Sequence, residues 1–192
     1  MEWQHYLPFM QALRANMLRA ENRLTKLGYK FVEAAVIEPT ADRAETISLM
    51  EESGLRVPAA LRAFYEVFGR IEFEGSAPVE WTGCEYPDPL SVVPLDLQFW
   101  SSELEHWAEE GEPRFTPQFA GDHIHKAGFS GGGYYFVFDG TDNPPLIADG
   151  LPNTFIAYLA LCNDWGGFPG LRQCLSHSWP IAEIKRDFVA LP

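Results

Sequence analysis

VPAALRAFYEVFGRIEFEG, residues 57–75, followed by APVEWTGCEYPDPLSVVPL, residues 77–95, sets a compact helix ahead of a turn-punctuated acidic segment, and the other elements are placed around it. Pro58 stands where a helix takes its first residue, because its fixed φ suits the first turn and its missing N–H is one the helix leaves unpaired anyway. Gly69 is expected to close that helix. Between them Val57, Leu61, Phe64 and Phe68 fall at helical spacing, so one face is apolar and is expected to lie on a sheet. Residues 70–74 alternate polar and apolar and read as a strand, with residues 79–81 as the expected hairpin partner. Tyr86-Pro87-Asp88-Pro89-Leu90 excludes helix and central strand, since proline donates no backbone hydrogen bond.

Toward the amino terminus, Leu7, Met10, Leu13, Met17, Ala20, Leu24 and Leu27 recur every three or four residues and predict a long helix that Gly28 stops. Residues 29–37 read as a strand ended by Pro39 and Thr40. Thr40 is expected to cap a second helix over 41–53, with Ala44, Ile47 and Met50 inward and Gly54 at its close.

Toward the carboxyl terminus, residues 91–97 are apolar at alternate places, and Ser101 or Ser102 is expected to cap a helix running to Glu110. Glu103 and Glu105 suit the start of that helix, whereas Glu109 and Glu110 oppose its dipole at a few tenths of a kcal/mol apiece, about what a functional role or plain solvation would tolerate. Further strands are expected at 119–122, 124–127, 134–139 and 146–148. Ser130-Gly131-Gly132-Gly133 has neither the Gly-Lys-Ser/Thr ending nor the following helix of a phosphate loop, and reads as a turn. Asn153 or Thr154 caps a further helix to Cys162 with Phe155, Tyr158, Leu159 and Cys162 inward, and the Gly166-Gly167-Phe168-Pro169-Gly170 turn ends it. Ile181, Ile184, Phe188 and Leu191 keep helical spacing in the tail.

At 192 residues the chain reads as one domain, large enough to bury roughly 70% of its unfolded-chain surface. Cys84, Cys162 and Cys174 are odd in number and form no Cys-x-x-Cys. That pattern argues against a disulfide framework or zinc knuckle, reads as small buried hydrophobes, and suits a reducing compartment. No basic region leads into an apolar core at the amino terminus, and no apolar run reaches the roughly 18 residues of a membrane span, so a cytoplasmic protein with no membrane partner is expected.

The 14 Lys and Arg against 27 Asp and Glu leave a net charge of −13. Residues 66–112 hold twelve acids and one base, Arg70, whereas residues 1–30 hold five bases and two acids. A chain so charged is expected to bind no nucleic acid, because neutralising phosphates takes clustered Lys and Arg. It would attract a basic partner.

Catalytic patterns are few. Asp122-His123-Ile124-His125 offers two imidazoles on one strand face without a third ligand indicated, His177 with Cys174 is a looser pair, and Asp139, Asp142 and Asp149 lie near turns where aspartate is ordinary. No nucleophile elbow or zinc-protease helix motif is present. No cofactor or metal is expected.

Several degenerate motifs nevertheless fall in a recognisable order. Val57-Pro58, Leu61-Arg62, Phe64-Tyr65 and Gly69 are followed by Trp81-Thr82-Gly83, where a Trp-Gly pair is usual, and by the proline-rich acidic turn. Phe119-Ala120-Gly121-Asp122, the aromatic segment 134–138 and Phe155-Ile156-Ala157-Tyr158-Leu159 come after. In this order the chain resembles the Smi/Knr-like family of the SUKH superfamily over roughly residues 40–172. The resemblance implies an α+β fold, helices against one central, largely antiparallel or mixed sheet, with residues 40–192 as the family domain and 1–39 as an amino-terminal extension of helix and strand within one compact unit.

It also implies function. Proteins of this kind often act as immunity proteins or antitoxins that bind and block a cognate bacterial toxin, commonly a nuclease. The docking face would comprise Glu72, Glu74, Glu80, Trp81, Glu85, Asp88, Glu103, Glu105, Glu109 and Glu110, with Trp81, Trp100 and Trp107 as possible anchors. The chain would act as a monomer or homodimer and not as an enzyme. Two alternatives stand beside this reading: a regulatory protein–protein scaffold, which eukaryotic members suggest, and a metal-dependent hydrolase built on Asp122, His123 and His125.

Overall fold

In a computed structural model that describes residues 2–85, 87–92, 97, 98, 101, 102, 105, 118–120, 136, 137, 141–143 and 154–192, the first long element is helix α1, Leu7–Lys26, entered through a 3-10 turn at Glu2–Tyr6. Its expected stripe is the buried one: Met10, Leu13, Met17, Ala20 and Leu24 are fully buried. Gly28 ends the helix at φ +94°, and the paired bonds from Gly28 N to Thr25 O (3.1 Å) and from Tyr29 N to Leu24 O (2.9 Å) complete the turn. Helix α2, Arg43–Glu52, closes by the same bond pattern at Gly54 and Leu55. Its N-cap is Asp42, not Thr40, and Ala44 is exposed; Thr46, Ile47 and Met50 make its buried face.

Helix α3 spans Ala59–Tyr65. Pro58 is its N-cap, not its first residue: a ψ of 140° leaves it half outside, while its carbonyl accepts from Arg62 N at 2.9 Å. Val57, Leu61, Phe64 and Phe68 are buried as their spacing requires, and Ala60, Ala63 and Tyr65 are buried with them. Gly69 does not form a left-handed cap. Its N–H donates to Ile37 O at 2.8 Å, and a Cβ there would overlap the Glu38 carbonyl, so the glycine serves a close approach of two backbones.

The expected strand over 29–37 divides into β1, Lys30–Phe31, and β2, Val36–Ile37, which belong to different sheets. β3 is Arg70–Glu72, β4 Gly75–Ser76, β5 Ser91–Val92, β6 Gln118–Ala120 and β7 Phe136–Val137. β2-β3-β5-β6-β7 form one antiparallel sheet, with Ile71 opposite Val36 on one side and Val92 on the other; β1 and β4 pair separately, Lys30 opposite Ser76. The break at 32–34 lets one side of the 70–76 segment serve both sheets: Val32 N donates to Glu74 O (3.1 Å), and Glu72 N to Ala35 O (2.8 Å). Residues 79–81 are no hairpin partner; Trp81 N closes a turn onto Pro78 O at 3.0 Å, and Val79 is 95% exposed.

Leu97 is helical and its carbonyl accepts from Ser101 Oγ at 2.7 Å, so the helical turn begins before Ser101 and neither that serine nor Ser102 caps it. The strands expected at 124–127 and 146–148 lie outside the described residues. Helix α4, Phe155–Asp164, is capped by Thr154, whose Oγ1 accepts from Ala157 N at 3.3 Å. A 3-10 turn at Pro169–Gln173 follows, and the tail is helical only over α5, Ile181–Ile184.

The whole is an α+β fold with helices against small antiparallel sheets. α1 packs on α3, α4 and α5, so residues 1–39 share one core with the remainder. Phe64 stacks on Phe68 at 4.5 Å and meets Phe155 edge-on at 5.9 Å. One polar knot lies within that core. Asn16, fully buried, donates from Nδ2 to Asn163 Oδ1 and to Val189 O, each at 2.8 Å, and accepts Val189 N at 2.8 Å on Oδ1, which fastens the tail to α1.

Candidate docking surface

The acidic segment leaves β3, crosses β4 and turns at Pro78–Trp81 into a loop that folds back on the tail. Ser178 organises the return: its Oγ accepts Thr82 N (2.7 Å) and donates to Glu80 O (2.7 Å), and its own N donates to Thr82 O (3.0 Å). Gly83, at φ +84°, lies so close to Ser176 that a Cβ would overlap the Ser176 carbonyl oxygen. One residue on, Cys84 is bonded to Cys174, with their Cα atoms 5.5 Å apart. This corrects the reading of three buried, unbridged thiols. Only Cys162 is free and buried; spacing in sequence could not show that a partner 90 residues away returns to Cys84.

Beneath the loop lies an aromatic bed. Trp81 is half-buried, 5.0 Å from Trp179 and 6.3 Å from Tyr29 between ring centroids, and Trp179 lies 4.8 Å from Phe168. Tyr29 donates its hydroxyl to Phe73 O at 2.8 Å. Burial first, and then the Glu74 carboxylate, push the Tyr29 phenol well above its ordinary pKa.

Around this bed Glu74, Glu80 and Glu85 are exposed and Glu72 is half-buried. Among the described residues Glu80 and Glu85 have no ion-pair partner. Arg14 pairs with Glu38, Arg23 with Asp187, Arg43 with Glu66, Arg62 with Glu51 and Arg70 with Glu33, none of them a carboxylate of the loop. The loop therefore keeps its negative charge.

Asp88 does not belong to this surface. It is fully buried, at φ 49°, in a proline-rich strip held from both sides: Gly170 N donates to Pro87 O (2.9 Å), Leu90 N to Gly167 O (2.7 Å), and Phe73 N to Leu90 O (2.9 Å). The turn chemistry of Pro87-Asp88-Pro89 was legible; that another glycine-rich turn would cover it was not. Glu105 is exposed on the helical turn after Leu97, while Glu103, Glu109, Glu110, Trp100 and Trp107 lie outside the described residues.

Asp122, His123, His125, Asp139 and Asp149 also lie outside the described residues. The pairing of His177 with Cys174 does not stand, because the sulfur is bonded to Cys84; the His177 ring instead lies 6.1 Å from that of Trp165. Asp142 is engaged by Arg56 at 2.8 Å, and its carbonyl accepts Ala60 N. Among the described residues no group of three or more His, Cys, Asp or Glu is placed to hold a metal ion, and no helix is long and apolar enough to cross a membrane. A shallow groove of about 370 Å³ opens between α1 and residues 38–39 and 66–67, lined by Arg14, Leu18, Glu38, Pro39, Glu66 and Val67 among others, but the Arg14–Glu38 ion pair occupies its polar side. In the loop, the exposed carboxylates of Glu80 and Glu85 stand on either side of Trp81, which rests on the aromatic bed. Comparison of the chain with protein-family models, curated proteins and solved structures finds no match.

Proposed function

We propose that the chain is a non-enzymatic binding protein of the immunity type, which neutralises a basic toxin, in the leading case a nuclease, by laying the loop at Glu80, Trp81 and Glu85 on the toxin's cationic surface. The observation that carries this reading is the pair of exposed, unbridged carboxylates flanking a half-buried tryptophan on a loop tied at Glu80, Thr82 and Cys84. Charge of one sign steers a partner of the other sign, and a nuclease displays Lys and Arg for phosphates. A loop already ordered loses little further freedom on binding, and an indole half-sunk in an aromatic bed is a suitable anchor. The resemblance to Smi/Knr-like proteins supplies the toxin; the charge and its display supply the mode of recognition.

Cytoplasmic residence is part of the proposal, as is action without nucleic acid or membrane. The test is co-expression of the chain with the protein products of the genes flanking its own. A toxic product should be rendered harmless by the parent and less so by Glu80→Lys/Glu85→Lys, whereas equal protection by both, or binding to neither product, contradicts the reading.

A further inference from the structure

Two kinds of tie hold the docking loop. Ser178 bonds to Glu80 and Thr82 through both its hydroxyl and its backbone N–H, and the Cys84–Cys174 bond closes the far end. Neither cysteine lies in a helix or strand, and both are half-buried, within reach of a small thiol in a way that the fully buried Cys162 is not. The aromatic bed beneath has contacts of its own, Trp179 to Phe168 at 4.8 Å and Phe73 to Phe168 at 5.9 Å. The bridge thus restrains the loop from its rim and contributes no side chain to the centre of the core. On the other side of the same bond, Leu175 is wholly exposed, as Val79 nearly is at the turn before Glu80.

We infer that Cys84–Cys174 is a reversible redox clamp on this loop. Closed, it holds residues 80–85 against residues 174–178; opened by a thiol reductant, it leaves the loop held by the Ser178 hydrogen bonds and the packing of Trp81 on Trp179, with its far end free. A peripheral disulfide between two loops, outside the regular elements, is of the kind that thiols reach first and that serves regulation more often than structure. A thiolate of the reductant attacks one sulfur, the Cys84–Cys174 bond breaks as a mixed disulfide forms, and the second reductant thiol displaces it. The two cysteines gain two electrons and two protons, and a dithiol leaves as its cyclic disulfide. The consequence for partner affinity rests on the docking surface proposed above; the clamp itself does not.

The experiment follows backbone hydrogen exchange in the full chain, purified without reductant, before and after treatment with dithiothreitol. Peptide mapping of the untreated protein should show the Cys84–Cys174 cross-link. After reduction the amides of Thr82 and Ser178, which bond across the clamp, should exchange at least about tenfold faster, while those of Leu13, Met17 and Leu24 keep their protection. Free thiols at both cysteines in air-oxidised protein would overturn the inference. So would unchanged exchange at Thr82 and Ser178, or loss of protection in α1 together with the loop, since the bond would then hold the whole fold. The Cys84→Ser/Cys174→Ser double variant should show the reduced pattern with or without dithiothreitol, and if it fails to fold the reduction series on the parent decides. No partner enters either arm, so failure of the clamp and failure of the docking surface are read separately.

Discussion

The indole rings of Trp81 and Trp179 lie 5.0 Å apart and tilted by 53°, one in the loop at residues 80–85 and the other 7% exposed beneath it. Their depths predict different costs. Trp179→Ala removes a buried ring that also touches Phe168 and Tyr29, and should lower stability by about 3–5 kcal/mol in urea unfolding. Trp81→Ala loses partial burial and the ring pairing, about 1–2 kcal/mol, and should reduce partner binding out of proportion to that cost.

Asn16 stitches α1 to α4 and to the tail, and no apolar side chain can do so. Asn16→Leu leaves Asn163 Oδ1 and the Val189 backbone without this partner, so about 1–3 kcal/mol of stability should be lost. Hydrogen exchange should show the Val189 amide among the first to lose protection.

Gly69→Ala tests why a glycine stands after α3. A cap of ordinary φ would tolerate alanine, whereas the contact with the Glu38 carbonyl does not, and the substitution should cost about 1–3 kcal/mol. A thermal midpoint equal to the parent's would show that β2 and the segment before β3 do not meet as described.

Alkaline pH should destabilise the fold. Tyr29 and Tyr65 have phenols raised above their ordinary value, Tyr65 by burial and Tyr29 by burial and then Glu74, so the folded state holds their protons where the unfolded chain has released them. That contribution is fully present below the unfolded value near 10 and is lost as pH rises above it, at about 1.4 kcal/mol per pH unit for each tyrosine. Denaturant titrations across that range should show the fall, and Tyr65→Phe should reduce its slope.

Much of the helical frame was legible because it is local. The recurrence of Met10, Leu13, Met17 and Leu24 specifies the buried side of α1 whatever covers it, and Thr154 caps α4 through an atom three residues from its donor. What failed depends on partners distant in sequence. The segment 29–37 reads as one strand that Glu33, Ala34 and Ala35 weaken, and the ladder partner changes from Ser76 to Ile71 across those residues, where the strand breaks. Asp88 has the composition of an exposed turn and is buried because Gly170 and Gly167 return to cover its neighbours. Of the expected acidic face, Glu74, Glu80, Glu85 and Glu105 are exposed as charge alone suggested, while the bridge that fixes the loop joins residues 90 apart. The Ser178 hydroxyl carried no sequence signal at all; a serine beside a tryptophan is commonplace.

Charge reversal measured as a rate tests the central claim most directly. Association of the parent and of Glu80→Lys/Glu85→Lys with the toxic product of a flanking gene is followed by stopped flow over a range of ionic strength. The double variant, within about 0.5 kcal/mol of the parent in stability, should associate about tenfold more slowly at low salt and lose most of its salt dependence. Equal rates and equal salt dependence in parent and variant would contradict a docking surface at Glu80, Trp81 and Glu85.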